Sequence, residues 1–237
     1  MKQVIEAHTA EYNEAPEIVV SAPSHMHLIG EHSWFFKDKT LSMAVNVPVY
    51  IALSFRDDGA LHFYFVQSKD RKHTTLSSLK FRKEDRWSNA IKGMIYGFTS
   101  GGFELRGMNF TVYSDTPPSL GFGITTAMKV GSAYAIREAM HIKCSDAELL
   151  QVIERGNKLF LKSNNFLAAN YTALYGKAGS FMLTDYATAE HDVIPFDFPD
   201  KKILLTDARV QRVMVWNEDT LRQPENVLLL GELKERK

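Results

Sequence analysis

Two glycines stand between a short strand pattern and a long helix pattern within residues 110–141. Gly121 and Gly123 allow the backbone to approach a ligand closely, and the N–H groups and dipole at a helix start favour phosphate. The hydroxyl of Thr125 or Thr126 could contact a phosphate or its metal ion. The pattern therefore predicts a phosphate-binding loop. A plain turn followed by a threonine N-cap also fits, and for an isolated Gly-x-Gly that alternative is the more common one.

The rest of the chain shows strands first, then a helical block, then strands again. Asp58-Gly59 is typical of a hairpin turn, and Ser145 with Glu148 forms a capping box that begins a helix. Predicted strands are 18–20, 45–55, 61–66, 110–113, 180–184, 193–196 and 203–207; predicted helices are 87–98, 125–141, 145–160 and 164–175. This order predicts an α+β domain rather than a doubly wound sheet.

Composition excludes several functions. The 237 residues contain 28 basic and 28 acidic side chains, so no overall field attracts nucleic acid or an anionic membrane. Cys144 is the only cysteine, which excludes an intramolecular disulfide and a cysteine-based zinc site. The charge-rich stretches 69–73 and 80–86 are interpreted as solvated turns. The polar N-terminus has no apolar core of the kind that a signal peptide needs, and no apolar stretch approaches the length of a membrane span. We therefore expect a cytoplasmic protein.

Three segments in order resemble galactokinases of the GHMP small-molecule kinase family. Residues 22–32, A-P-S-H-M-H-L-I-G-E-H, are similar to A-P-G-R-V-N-L-I-G-E-H, and residues 87–93, W-S-N-A-I-K-G, to W-x-N-Y-V-K-G. Residues 117–127, P-P-S-L-G-F-G-I-T-T-A, are similar to the phosphate loop P-x-G-x-G-L-S-S-S-A-A. Residues 164–170 are also similar to E-N-x-F-V-G-V-N, and residues 173–185 to A-L-G-K-x-G-x-x-L-L-I-D. The resemblance extends over most of residues 16–220.

The resemblance implies a GHMP-kinase N-terminal-type domain (ribosomal protein S5 domain 2-like) over residues 16–216. Polar segments, 1–15 and 217–237, would flank it, and most of the family's C-terminal lobe has no counterpart in this sequence. The implied ligands are a hexose and ATP with Mg²⁺, if binding is retained. The implied site residues are Glu31 and His32 at the sugar, Gly121, Gly123, Thr125 and Thr126 at the phosphates, and Trp87 near the adenine.

Several departures affect the residues that the family uses for catalysis. His25 stands in place of the family's Arg, and Trp34 in place of its sugar-binding Asp. Ile124 replaces one loop serine, and the last survives only as Thr125. The family's magnesium-binding Glu aligns with Ser163, and its catalytic Asp falls in a segment about seven residues shorter here. Residues 155–184 contain no Asp or Glu. No metal-ligand set is intact, and His25 is the one weak catalytic candidate.

Three functions stay open at this point. The first is a galactokinase-like protein that is catalytically weak or inactive but binds nucleotide, sugar or a partner. The second is an active sugar kinase in which Asp115, Asp185 or Asp207 supplies the carboxylates and a second subunit completes the cleft. The third is a structural domain that binds no ligand and forms a homodimer through exposed apolar surface.

Overall fold

Seven strands form one mixed sheet with helices on both of its faces. The computed structural model describes residues 1–31, 33–115, 121–163, 167–204 and 206. The strands are β1 Ile18–Ile29, β2 Lys39–Arg56, β3 Ala60–Phe65, β4 Asp70–Thr75, β5 Gly107–Ser114, β6 Ser180–Asp185 and β7 Glu190–Pro195. The helices are α1 Lys2–Tyr12, α2 Ser33–Phe36, α3 Ser88–Thr99, α4 Ile124–Ala139, α5 Asp146–Arg155 and α6 Leu167–Tyr175. The α+β prediction is confirmed.

The sheet runs in the order β4-β3-β5-β2-β6-β7, and β1 pairs with β2 outside this path. All neighbours are antiparallel except β3 and β5, which are parallel. The long strand β2 is therefore the centre of the sheet, since it pairs with β1, β5 and β6 along different parts of its length.

Residues 1–197 and residues 198–237 are two separate units. The described part of the second, residues 198–204 and 206, contains no helix or strand, so the strand predicted over 203–207 is wrong at its three described residues. Residues 205 and 207, as well as the predicted polar tail, lie outside the described residues. Within the described residues, no helix has the length and apolar character needed to cross a membrane.

Helix α4 packs on the sheet through a residue without a side chain. A Cβ added at Gly131 would lie 2.9 Å from Cβ of Ala22 on β1 and 3.0 Å from Cδ1 of Ile51 on β2. Contacts this short would push the helix away from the strands, so glycine allows a closer approach than any other residue. The N-terminus of α4 is thereby held against β1.

The predicted capping box is present at the start of α5. The hydroxyl of Ser145 accepts a hydrogen bond from the Glu148 backbone amide, and the Glu148 carboxylate accepts one from the Ser145 amide. Beyond Arg155 the helix continues as one π-helical turn, Gly156–Phe160. π-Helical turns are rare in proteins, and those that do occur are often found at functional sites.

Helix α1 covers the opposite face of the sheet, which the polar composition of residues 1–15 did not indicate. His8 is fully buried, with Nδ1 2.9 Å from Oγ1 of Thr111 and Nε2 2.9 Å from Oγ of Ser54. Glu14 accepts hydrogen bonds from the Ser54 hydroxyl and from the Asn109 side chain. This polar network fixes α1 to β2 and β5.

Three predictions of local structure are wrong. Asp58-Gly59 does not close a hairpin, because β5 lies between β2 and β3 and pairs with both. Residues 69–73 are largely strand β4, on the edge of the sheet, where charged side chains are common. The strand predicted at 18–20 is too short, since β1 continues to Ile29 with irregular register against β2.

The buried His8 predicts a specific dependence of stability on pH. Burial lowers the pKa of His8 to about 4 from its ordinary 6.5, so between these values the unfolded chain binds more protons than the folded one. The contribution of His8 to the free energy of unfolding is therefore fully present above pH 6.5. It falls as the pH approaches 4, by about 1.4 kcal/mol per pH unit. Urea unfolding at several pH values measures this slope.

The variant His8→Gln should show a shallower loss of unfolding free energy over the same pH range. His73→Gln is the matched control, because His73 is exposed on the edge strand β4. An unchanged slope in His8→Gln would contradict the assignment.

Candidate functional site

The loop before α4 has the backbone conformation that the two glycines predict. Gly121 and Gly123 have φ values of 75° and 71°, in the left-handed region that favours glycine. Gly123 is the N-cap of α4. Thr125 is exposed in the first turn, whereas Thr126 is 3% exposed and packs inward. Helix amides of the first turn have no intrahelical acceptor, so Thr125 and these amides are the groups placed to meet an anion.

His25 packs directly against this loop. Its backbone amide donates a hydrogen bond to the Phe122 carbonyl at 3.0 Å. A Cβ added at Gly123 would overlap Cε1 and Nδ1 of the His25 ring. The ring is 8% exposed, and Nδ1 has no hydrogen-bond partner among the described residues. His25 is thus a buried strand residue beneath the loop, not a residue of an open loop.

Burial determines the charge of His25. It lowers the pKa of His25 to about 4, and the nearby His27 and Lys129 act in the same direction. The pKa of His27 is also lowered, mainly by burial, with Glu31 opposing the shift. The two rings lie 5.3 Å apart. At neutral pH His25 is therefore an uncharged imidazole and cannot supply the positive charge of the Arg that the resemblance expects.

A cation is nevertheless present in the helix that begins at this loop. Lys129, in the second turn of α4, is 1% exposed, and its Nζ donates a hydrogen bond to Oδ1 of Asn157 at 3.0 Å. Burial lowers the pKa of Lys129 to about 8, while Glu154 acts in the opposite direction. Its side chain is consequently protonated for the most part at pH 7.

Two asparagines and one carboxylate surround this lysine region. Asn157 lies in the π-helical turn and is 1% exposed, and its Nδ2 has no partner among the described residues. Its backbone carbonyl accepts the amide of Ser163 at 3.0 Å. Asn170 on α6 donates to Oε1 of Glu154 at 2.9 Å. Glu154 is the residue immediately before the acid-free stretch, so a carboxylate does reach this region from just outside it.

The residues present do not fit a magnesium site. Mg²⁺ in proteins takes oxygen ligands in octahedral geometry and is usually held by one or two carboxylates. Here the amide oxygen of Asn157 already binds an ammonium group, and Glu154 binds Asn170. Within the described ranges, no group of three His, Cys, Asp or Glu side chains could hold a metal ion.

The predicted sugar-facing residues are only partly described. Glu31 is exposed and follows Gly30, whose carbonyl accepts hydrogen bonds from the Thr40 hydroxyl at 2.6 Å and the Ser33 amide at 3.0 Å. His32 lies outside the described residues. Trp34 belongs to the short helix α2 that follows. The role of Glu31 and His32 stays a prediction.

Trp87, expected near the adenine, precedes α3 and contacts the β3–β4 pair. Its indole Nε1 donates to Asp70 at 2.8 Å, and its ring lies 5.3 Å from that of Phe65. One face and the polar edge of Trp87 are therefore used in packing. Its adenine-binding role also stays a prediction.

The aspartates proposed as relocated catalytic groups make other contacts. Asp115 accepts a hydrogen bond from the hydroxyl group of Tyr113. Asp185 accepts the backbone amides of Ala187 and Thr188 in the β6–β7 turn. Asp207 lies outside the described residues.

Lys129, Asn157 and Glu154 were missed from the sequence. One signal was available: Lys129 is the only charged residue from position 116 to position 136, at a position whose neighbours are apolar. A lysine inside such a helix face is rarely buried without a specific partner. The π-helical turn that carries Asn157 has no comparable sequence signal.

Known proteins resemble this chain both in sequence and in structure. A family model described as the galactokinase galactose-binding signature matches residues 6–55. A provisionally named galactokinase of Treponema pallidum is 33% identical over 94% of this chain and 56% of its own length. The galactokinase of Thermotoga maritima is 25% identical over 92% of this chain and 60% of its own length.

Two solved structures share the fold. The Lactococcus lactis galactokinase, crystallised with galactose, superposes with a TM-score of 0.74 at 16% identity, over 87% of this chain and 57% of that one. The mevalonate kinase of Methanococcus jannaschii gives a TM-score of 0.60 at 16% identity, over 75% of this chain and 55% of that one. The fold is thus that of the N-terminal domain of GHMP kinases.

Within that class, the chain belongs to the galactokinase-like proteins of the GHMP small-molecule kinase family. It spans 56–60% of the length of the two curated relatives described above.

The contact between His25 and Gly123 gives a direct test of the site geometry. Gly123→Ala should lower the free energy of unfolding by about 1–3 kcal/mol for its left-handed backbone, and further because the new methyl group overlaps the His25 ring. Gly179→Ala is the matched control, since Gly179 has a φ of 69° and nothing within 4 Å of the point that a Cβ would occupy.

Chemical denaturation of both variants separates backbone strain from the steric contact. A double-mutant cycle of Gly123→Ala with His25→Ala should show coupling, because the smaller side chain removes the overlap. Equal losses in Gly123→Ala and Gly179→Ala, with additive effects in the cycle, would contradict the packing described.

Proposed function

We propose that this protein binds a nucleotide phosphate at the loop before α4 and a hexose near the end of β1, with weak or absent phosphoryl transfer. The observation that carries the proposal is that the residues near the loop lack the cation and the carboxylate that the resemblance implies for catalysis. A neutral His25 lies where the resemblance expects a cation, and Ser163 stands where it expects the magnesium-binding Glu. The buried cation on α4, Lys129, binds an amide oxygen of Asn157. The binding scaffold is kept while the groups for transfer differ.

Nucleotide binding is supported by the backbone rather than by side chains. The left-handed Gly121 and Gly123 lead into the sixteen-residue helix α4, whose dipole favours an anion at its start. Thr125 adds an exposed hydroxyl in the same turn. None of these features depends on the catalytic residues that the sequence lacks.

Hexose binding is supported by the segment that matches the galactose-binding signature. Residues 6–55 include all of β1 and the turn with Gly30 and Glu31. The carbonyl of Gly30 is held by two hydrogen bonds, so the position of the following Glu31 backbone is well determined. A carboxylate there can accept hydrogen bonds from sugar hydroxyl groups.

Weak phosphoryl transfer is supported by the rate factors that such catalytic groups usually contribute. Phosphoryl transfer depends on positioning and on neutralising the charge of the transferred group. Loss of a cationic finger costs a factor of about 10³–10⁵ in nucleotide hydrolases, and loss of a general base costs about 10²–10⁴. His25 is neutral and residues 155–184 contain no carboxylate, so we expect both of these rate losses at this site.

An active sugar kinase is the second candidate, and Glu154 is the observation that favours it. Its carboxylate is held by Asn170 at 2.9 Å and lies close enough to Lys129 to affect its pKa. If the protein phosphorylates a hexose, Glu154→Gln should abolish most of that activity, whereas Asp185→Asn should not. A homodimer and a cytoplasmic location stay predictions.

The proposal is tested by measuring binding and transfer on the same sample. ATP, ADP or galactose should raise the melting temperature, since a ligand at about 100 times its Kd adds about 2.7 kcal/mol of stability. Formation of sugar phosphate from galactose and MgATP should stay at the background level, with Lactococcus lactis galactokinase as the active control. Robust phosphorylation would refute weak transfer, and the absence of any ligand-induced shift would refute binding.

A further inference from the structure

We propose that Lys129 is a built-in cation for the phosphate groups at the Gly121–Thr125 loop, so that the protein binds a nucleoside di- or triphosphate without a divalent metal ion. This inference rests on the proposed nucleotide binding and adds the chemical form of the ligand. It assigns to one buried side chain the charge neutralisation that an oxygen-bound metal ion would otherwise provide.

The position of Lys129 in α4 brings its charge towards the loop. It lies six residues after Gly123, which is roughly 9 Å along the helix axis. Side chains of a helix lean towards its N-terminus, and a lysine is long enough to cover most of that distance. The charge of Lys129 also lowers the pKa of His25, whose ring touches Gly123, which agrees with this direction of the side chain.

Two buried polar atoms beside this charge have no hydrogen-bond partner among the described residues. They are Nδ2 of Asn157, whose other side-chain atom binds Lys129, and Nδ1 of His25, which faces Gly123. Buried polar atoms are normally paired, so such exceptions point to a missing partner. An amide N–H₂ is a donor, and a neutral imidazole can present N–H at Nδ1. Both can donate to a phosphate oxygen.

The other buried lysine within the described part of the chain shows a different arrangement. Lys92 is 2% exposed, and its Nζ lies 2.6 Å from a carboxylate oxygen of Asp85 and 5.9 Å from the ring centre of Phe160. Those contacts are internal to the fold and account for its burial. Lys129 binds the amide oxygen of Asn157, whose Nδ2 has no hydrogen-bond partner among the described residues and can donate to an anion.

Electrostatics favours the metal-free nucleotide at such a site. Mg²⁺ removes two negative charges from the phosphates and would itself be repelled by a buried ammonium group at short range. The residues around Lys129 also offer no magnesium ligand set. The free nucleotide keeps its full charge and forms charge-assisted hydrogen bonds, which are about twice as strong as neutral ones.

The test compares affinities for ATP and ADP in EDTA and in excess Mg²⁺ by isothermal titration calorimetry. The expected result is that affinity in EDTA equals or exceeds affinity in Mg²⁺. Lys129→Met should weaken binding in EDTA by about tenfold or more, the value of one charge-assisted hydrogen bond. Lys143→Met is the control, because Lys143 is exposed and precedes α5. Melting temperatures without nucleotide establish that each variant folds.

A second variant keeps the proposal testable if Lys129→Met does not fold. Asn157→Asp places a carboxylate against the ammonium group, and it should weaken binding in EDTA by about tenfold because the internal carboxylate competes with phosphate. Binding that requires Mg²⁺, or wild-type affinity in both variants, would overturn the role of Lys129 and leave nucleotide binding standing. Absence of binding under both conditions would overturn the proposed function together with this inference.

Discussion

The close packing of α4 on β1 and β2 is the constraint on which the site depends. Gly131 allows the helix to approach Ala22 and Ile51 to a distance that a Cβ would prevent. Because the helix axis is fixed there, Gly123 meets the His25 ring at one end, and Lys129 meets the π-helical turn from its flank. A small shift of α4 would separate all of these contacts at once.

Burial then determines which groups carry charge. His25 loses its proton at neutral pH because burial, His27 and Lys129 all lower its pKa, whereas Lys129 starts from a much higher pKa and keeps its proton. The same physical effect therefore produces opposite charge states in two neighbouring residues. The buried cation near this site therefore belongs to α4, the helix that begins at Gly123, rather than to strand β1.

Local signals in the sequence predicted local structure well. The capping box at Ser145, the glycine turn at Gly123 and the spacing of apolar residues in α4 are properties of short segments, and each is present. The insertion of β5 between β2 and β3 depends on contacts far apart in the chain, so the Asp58-Gly59 turn alone suggested a hairpin. Lys129 and Asn157 become neighbours only because α4 and the π-helical turn pack together.

The central claim is that nucleotide phosphate binds at the start of α4 beside Lys129, and amide chemical shifts test it most directly. Titrating ADP in EDTA into the ¹⁵N-labelled protein should shift the backbone amides of Gly121, Gly123 and Thr125 and leave that of Gly179 unchanged. Lys129→Met should require a higher ADP concentration for the same shifts. Shifts confined to other parts of the chain, or no shifts at saturating nucleotide, would contradict the account.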